Sequence, residues 1–151
     1  MALTSALCTS FKVELLEGDH DFNTGADAFK VALFKANASI TGTYGAASTN
    51  YSQMTGDSDE LAATGGYTTG GFALTNVNPT STSTTAFTDF SVNASWSSAT
   101  FTTRGCLIYN TSDGNSTVAV IDFGADYSVS GGTFEIQWPA ADSSNAIIRI
   151  A

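Results

Sequence analysis

Residues 101–124, FTTRGCLIYNTSDGNSTVAVIDFG, decide the fold of this chain. Two apolar runs, TRGCLIYN and STVAVIDF, flank a polar stretch that holds the Asp-Gly pair typical of β-hairpin turns. Both runs are dense enough in apolar residues to form strands that are buried on both faces. We therefore predict two antiparallel strands that are joined by a tight turn.

Further strand signals lie on both sides of this hairpin, at intervals of about ten residues. The runs are DAFKVALFK, GFALTNV, TAFTDFSV, ASWSSATF, GTFEIQW and AIIRIA, and the segment SVSGG is predicted to be a second hairpin turn. Ser and Thr make up about a quarter of the residues, and only 13% are charged, which is a β-sheet composition. About eight short strands predict an all-β fold, a β-sandwich of jelly-roll type.

One short helix is predicted at the N-terminus, within residues 1–18. Thr4 or Ser5 can cap its start, and Gly18 can end it in the left-handed conformation. The helix must pack either on the chain's own sheet or on a neighbouring subunit. Its apolar face repeats every four residues: Leu3, Leu7, Phe11 and Leu15.

A long polar region, residues 36–69, follows the first predicted strand. It is rich in Gly, Ser, Thr and Asn, and a structureless loop of this length is unusual in a compact domain. We predict either a short strand or helical turn near residues 59–63, or an arm that becomes ordered on a partner. The length of 151 residues predicts a single domain spanning residues 1–151.

The charge balance excludes some classes of partner. The net charge is −9 with only five Lys or Arg residues, too few for the clustered cations that bind phosphates, so we expect no direct nucleic-acid binding. A basic partner surface would suit this acidity better. No apolar run is long enough to span a membrane, and the N-terminus lacks the pattern of a signal peptide. Cys8 and Cys106 show no metal or disulfide motif, and we expect Cys106 to be a buried thiol.

Candidates for chemistry are few, and we predict no catalytic residue, metal or cofactor. His20 lies between carboxylates and could be a tuned base, but a surface histidine is the favoured interpretation. Carboxylates two positions apart in a loop can bind Ca²⁺, but the favoured interpretation of the 57–60 segment is a solvated loop. The residues concerned are Asp57, Asp59 and Glu60.

Two carboxylates on late strands form the remaining enzymatic hypothesis. Asp122 and Glu135 could face one cleft and act as a glycosidase pair, although no local motif supports this. Arg104 lies in an otherwise apolar strand, so we expect it to form an ion pair or an interface contact. The loop tyrosines could stack on sugars or fix the long loop to the sheet or to a neighbour, and the second role is favoured: Tyr44, Tyr51 and Tyr67.

Several motifs in this order resemble those of a family of small virion proteins of tailed bacteriophages. They are TSFKVELLEGDHDF, DAFKVALF, GGYTTGG, TTRGCLIYN, and AVIDFG followed by FEIQWP, and together they cover nearly the whole chain. Members often have Ala before the arginine, where this chain has Thr103. The motifs are structural, so the resemblance bears more on fold than on role.

The resemblance implies a non-enzymatic component of the virion, made in the cytoplasm of the bacterial host. We expect a capsid decoration (cement) protein on the capsid surface, bound to the major capsid protein and forming a dimer or trimer. The alternative is a tail or head fibre component, or adhesin, that contacts the host. The small size and the lack of fibre repeats favour the decoration protein. The predicted contact residues are Leu7, Phe11, Leu15, Tyr44, Tyr51, Tyr67 and Arg104.

Overall fold

The computed structural model describes residues 2–151 and confirms a mostly β fold. Met1, which belongs to the predicted helix and domain, lies outside the described residues. The described part of the chain has two α-helices, α1 (Thr9–Glu17) and α2 (Tyr51–Gly56), and a 3₁₀-helix at Asn37–Ser39. Its strands are β1 (Ala2–Leu3), β2 (Ala6–Leu7), β3 (Phe29–Leu33), β4 (Thr43–Tyr44), β5 (Phe72–Ala73), β6 (Thr80–Thr82), β7 (Thr85–Thr88), β8 (Ala94–Asn110), β9 (Ser116–Ile136) and β10 (Ile148–Ile150).

The predicted hairpin is the centre of a five-stranded sheet with the order β2-β9-β8-β3-β5. Its strands β8 and β9 are antiparallel, with Ile108 opposite Ala119 and Leu107 opposite Val120. These four side chains are buried, and so is Cys106, as predicted. The prediction of strands that are buried on both faces is therefore confirmed for the part of the hairpin next to its turn.

The prediction of a second hairpin turn at SVSGG is wrong, because β9 continues through residues 128–132 without turning back. The glycines form a β-bulge within β9. Thr100 is opposite Ser130 and Ala99 is opposite Gly132, which leaves Gly131 as an extra residue. A larger bulge lies between Asp122 and Tyr127, where Gly124 has φ +81°. We call the distal part of the hairpin, residues 94–104 and 122–136, the arm.

The N-terminal helix begins later than predicted. Residues 2–3 and 6–7 form β1 and β2, and the helix starts after Cys8, so Thr4 and Ser5 do not cap it. Strand pairing overrides the four-residue period, because Leu3 lies beside Tyr44 in a parallel pair and Leu7 lies beside Ala119 in an antiparallel one. The end of the helix is as predicted, with Gly18 at φ +88°.

The region predicted as a long loop is ordered and packed on the five-stranded sheet. Its helix α2 lies earlier than the predicted turn near 59–63, and it starts with a capping box formed by Asn50 and Gln53. The segment GGYTTGG then runs along β8 and β3. A Cβ atom on Gly65 or Gly71 would collide with the backbone oxygen of Thr100 or Val31, so this motif follows from the close approach of two backbones.

A small antiparallel sheet, β10-β7-β6, joins a hairpin from the middle of the chain to the last strand. Asp89 joins its parts, because its carboxylate accepts hydrogen bonds from the backbone N–H groups of Phe90 (2.7 Å) and Ile147 (3.0 Å). Cys8 and Cys106 are both free thiols. Within residues 2–151, the helices are too short to cross a bilayer.

Candidate functional site

Asp59 and Glu60 of the long loop are buried, which corrects the expectation of a solvated loop, whereas Asp57 is exposed as expected. Asp59 is fully buried and accepts hydrogen bonds from Thr41 N (2.9 Å), Gly42 N (2.7 Å) and the Tyr44 hydroxyl (2.8 Å). Burial alone would raise the pKa of this carboxyl, but the hydrogen bonds outweigh it and lower the pKa below its ordinary value. Asp59 therefore serves as an ionised anchor for residues 41–44.

Glu60 anchors the other half of the loop in the same way. Its Oε1 accepts hydrogen bonds from the Tyr67 hydroxyl (2.8 Å) and Gly70 N (2.6 Å), and its Oε2 accepts one from the Tyr51 hydroxyl (2.5 Å). The Tyr67 hydroxyl also accepts a hydrogen bond from Leu33 N on β3 (3.0 Å). We call these residues the phenol–carboxylate network: Tyr44, Tyr51, Asp59, Glu60 and Tyr67.

The loop tyrosines are not exposed, which corrects their assignment as surface contacts. Tyr44 and Tyr67 are each 3% exposed, and Tyr51 is half-buried and stacks on Tyr109 with ring centroids 4.3 Å apart. These contacts agree with the favoured interpretation, in which the tyrosines fix the loop to the sheet. In this conformation, none of the three can present its hydroxyl to a partner.

The predicted apolar face of the N-terminal helix is also covered by the chain itself. Leu7 belongs to β2, Phe11 is buried, and Leu15 is half-buried against a small cavity that is also lined by Phe87 and Ile148. The helix therefore packs on its own chain, through Phe11 in the core and against strand β9. The exposed apolar side chains of the helix are on another face, at Val13 and Leu16.

His20 is buried, which corrects the expectation of a surface histidine. Its Nε2 lies 2.9 Å from Glu14 Oε2, and its Nδ1 lies 2.9 Å from Asn110 Nδ2. The Asn110 amide is oriented by its oxygen, which accepts hydrogen bonds from Ser112 N (2.9 Å) and Asp113 N (3.2 Å). Its NH₂ group must therefore face His20, which fixes Nδ1 as an acceptor and places the proton on Nε2.

This tautomer decides what the cluster around His20 can do. Ligand atoms of Glu14, His20 and Asp113 lie within 4.8 Å of one another, as in a metal site. A metal on Nε2 would require the proton on Nδ1, directly opposite the Asn110 NH₂ group. The donor set thus fits a hydrogen-bonded histidine better than a metal ligand.

Arg104 forms the ion pair that the sequence predicts. Its Nε donates to Asp122 Oδ1 (2.7 Å) and its Nη2 donates to Oδ2 (3.3 Å), so the pair is bidentate. The hydrogen bond from the guanidinium lowers the pKa of the Asp122 carboxyl. Asp122 and Glu135 do line one groove, but Asp122 is held by Arg104, whereas Glu135 accepts hydrogen bonds from Asn93 (3.3 Å) and Gln137 (3.0 Å).

The apolar character of that groove is the feature that the sequence did not reveal. The groove lies between the arm and residues 138–147, it is open to solvent, and its volume is about 450 Å³. Sequence reasoning missed it because the predicted turn at SVSGG divides β9, so that Phe123 and Phe134 fall on separate strands. We call it the arm groove, and its apolar walls are Phe123, Tyr127, Phe134, Ile136, Trp138 and Ile147.

Comparisons with protein-family models, with curated proteins and with solved structures found no match to this chain. The resemblance to virion proteins therefore stays a prediction.

Proposed function

We propose that this chain is a structural component of a bacteriophage virion, a decoration (cement) protein that binds the outside of the major capsid protein lattice and stabilises the head. In this role it has no catalytic activity, acts at the capsid surface after synthesis in the host cytoplasm, and assembles as a dimer or trimer. One observation carries the proposal: the buried ionisable side chains Asp59, Glu60, Asp89 and His20 are hydrogen-bonded within the fold, while the apolar arm groove stays open to solvent.

The first support comes from the buried ionisable side chains. Asp59, Glu60 and Asp89 accept hydrogen bonds from backbone N–H groups, and His20 is held between Glu14 and Asn110. A catalytic acid or base needs a position from which it can exchange a proton with a substrate. In these four residues, groups of the same chain occupy the hydrogen-bonding positions that a substrate would need. We therefore assign them a structural role.

The second support is the surface of the arm. Tyr127 is 51% exposed, and Phe134 and Ile136 beside it are half-buried at the margin of the core. Exposed apolar patches with a polar rim mark interaction sites. A shell offers the same binding surface many times, so a modest contact per copy gives a firmly held layer when copies are linked into oligomers.

The finer fold assignment belongs to the same proposal. We propose that the five-stranded and three-stranded sheets are the two layers of the predicted sandwich of jelly-roll type. Ile148 of the small sheet supports this, because it is buried in the same apolar cluster as Val31 and Leu107 of the large sheet. An experimental structure with the two sheets side by side in one layer would contradict it.

The proposal is tested on particles of a phage that encodes this chain. An averaged image of the particle should show the protein at regular positions on the head, and heads that lack it should rupture at a lower temperature. Adding back the purified protein should restore the rupture temperature. Density on a tail or fibre would favour the adhesin instead, and particles without the protein would refute any virion role.

A further inference from the structure

The arm groove has a defined chemistry that points to one kind of occupant. Its floor continues the hydrophobic core, because Ile121, Phe123, Phe134 and Ile136 pack against the buried cluster on one side and reach solvent on the other. Phe134 also contacts the buried ring of Phe101, with centroids 5.5 Å apart. An apolar side chain placed in the groove would therefore extend a packed core and remove apolar surface from water.

The backbone edge of the arm is poorly suited to receive another strand. Beyond Asp122, whose backbone N–H donates to the Ser5 hydroxyl (3.0 Å), β9 pairs only with β8 among the described residues, which leaves its outer edge without a strand partner. This edge is interrupted by the bulge before Tyr127 and by the extra residue Gly131. Bulges are a common protection against edge-to-edge pairing, so recognition must come from side chains in the groove.

The charges of the arm decide between a second copy and a different partner. The arm carries Asp122, Asp126 and Glu135, and Arg104 is its single cation. Asp122 already neutralises Arg104, whereas Glu135 on the groove wall has hydrogen bonds from amides but no cationic partner within residues 2–151. Two copies, each with a net charge of −9, would bring like charges together at this surface.

We infer that the arm groove receives an apolar side chain from a basic partner segment, with a Lys or Arg of that segment beside Glu135. This inference rests on the proposed function in one respect: the proposed function identifies the partner segment as part of the major capsid protein. The test uses the isolated chain and no virion, so the two proposals can fail separately.

Trp138 provides the signal for the test. Its ring lines the groove and is fixed by a hydrogen bond from Nε1 to the Val92 carbonyl (2.9 Å), whereas Trp96 is buried and gives a constant background. Three peptides of equal length are titrated while Trp fluorescence is followed: Gly-Lys-Leu-Lys-Phe-Lys-Gly, its Glu counterpart, and a version with Ser in place of Leu and Phe. We expect a saturable change with the first peptide, and affinities at least about tenfold weaker, or about 1.4 kcal/mol, with the other two.

Matched variants locate the binding. Glu135→Lys should weaken the first peptide about tenfold, whereas Glu17→Lys, an equal charge change on the exposed end of α1, should change its affinity less than about twofold. Tyr127→Ser should also weaken binding, and Val13→Ser, which alters a side chain with the same exposure of 51% outside the groove, should not. Added salt should weaken the first peptide, since its charges are partly exposed.

Several results would overturn the inference. Equal binding of the Ser-containing peptide, or equal effects of Glu17→Lys and Glu135→Lys, would show unspecific attraction between opposite charges. A dimer in sedimentation that Tyr127→Ser dissociates would make the groove a contact between copies of this chain. Competition by simple sugars for the Trp138 signal would make it a glycan site.

Discussion

Tyr67→Phe removes one hydroxyl group that connects three parts of the fold. Tyr67 is 3% exposed, and its hydroxyl donates to Glu60 and accepts from the backbone N–H of Leu33. Its ring lies against Trp96 and Phe101, with centroids 6.0 and 6.3 Å away, and phenylalanine retains those contacts. The substitution therefore tests the hydrogen bonds without changing the packing of the ring.

The expected loss of stability follows from the groups that are left behind. The buried N–H of Leu33 loses its acceptor, which costs about 1–3 kcal/mol. Glu60 keeps its bonds from Tyr51 and Gly70, so the loss of one donor adds about 1 kcal/mol. We expect the free energy of unfolding to fall by about 2–4 kcal/mol, and Tm to fall by about 4 °C or more for a chain of this size.

Urea unfolding followed by circular dichroism measures this loss, and Tyr127→Phe is the matched control. Tyr127 is 51% exposed, so removing its hydroxyl should change stability by less than about 0.5 kcal/mol. Limited proteolysis of Tyr67→Phe should also cut residues 36–71 earlier than in the parent protein. If the two variants are equally stable, the phenol–carboxylate network does not hold the loop as we describe.

The remaining predictions concern pH, a buried carboxylate and a glycine. Burial raises the pKa of Tyr109 to about 12 and also raises the pKa of Tyr67, so the folded state favours the protonated phenols. The contribution of these protonated phenols to the free energy of unfolding is complete below about pH 10, their pKa in the unfolded chain, and it is lost as pH rises through their pKa values in the folded protein. Urea unfolding at a series of alkaline pH values should show this fall in stability, and a flat profile would contradict it. Asp89→Asn places an NH₂ group opposite one of the two backbone N–H groups that the carboxylate binds, those of Phe90 and Ile147. Because one of these donors then loses its acceptor, amide hydrogen exchange should accelerate in β10. Unchanged exchange would show that Asp89 does not hold this strand. Gly71→Ala forces a Cβ atom against the Val31 backbone at φ +77°, and it should lower the free energy of unfolding in urea by more than about 3 kcal/mol. Gly114 also has a positive φ but lies in open space, so Gly114→Ala should lower it by about 1 kcal/mol. Equal losses in the two variants would refute the close approach of the two backbones.

The sequence predicts the fold best where side-chain character is unambiguous. The runs around Leu107 and Val120 are so apolar that both faces must be buried, and the Asp-Gly pair between them marks the turn. At the N-terminus, the same kind of reasoning fails because Leu3 and Leu7 fit a helical period and are also competent strand residues. Their pairing with distant residues near 44 and 119 decides the outcome, and no local pattern contains that information.

The candidate site was less predictable than the fold, for two physical reasons. Burial of a polar loop depends on hydrogen bonds across long sequence separations, such as Tyr67 with Leu33, and composition alone makes such a loop look solvated. Gly-Gly also has two meanings in a strand pattern, a turn or a bulge, and here Gly131 is the bulge. The ion pair of Arg104 was predictable because a lone cation in an apolar strand requires a counter-charge.

The distant partner of β2 affects how the polypeptide can acquire its structure during synthesis. Ala6 and Leu7 pair with Val120 and Ala119, which are translated more than 100 residues later. Until then, this segment has no neighbour on that side. Once β9 is made, it can pair with β8 first, because only residues 111–115 separate the two strands. Residues 6 and 7 are thus translated well before the strand that completes their environment, and a nascent chain arrested before residue 119 would leave them accessible to chaperones and proteases.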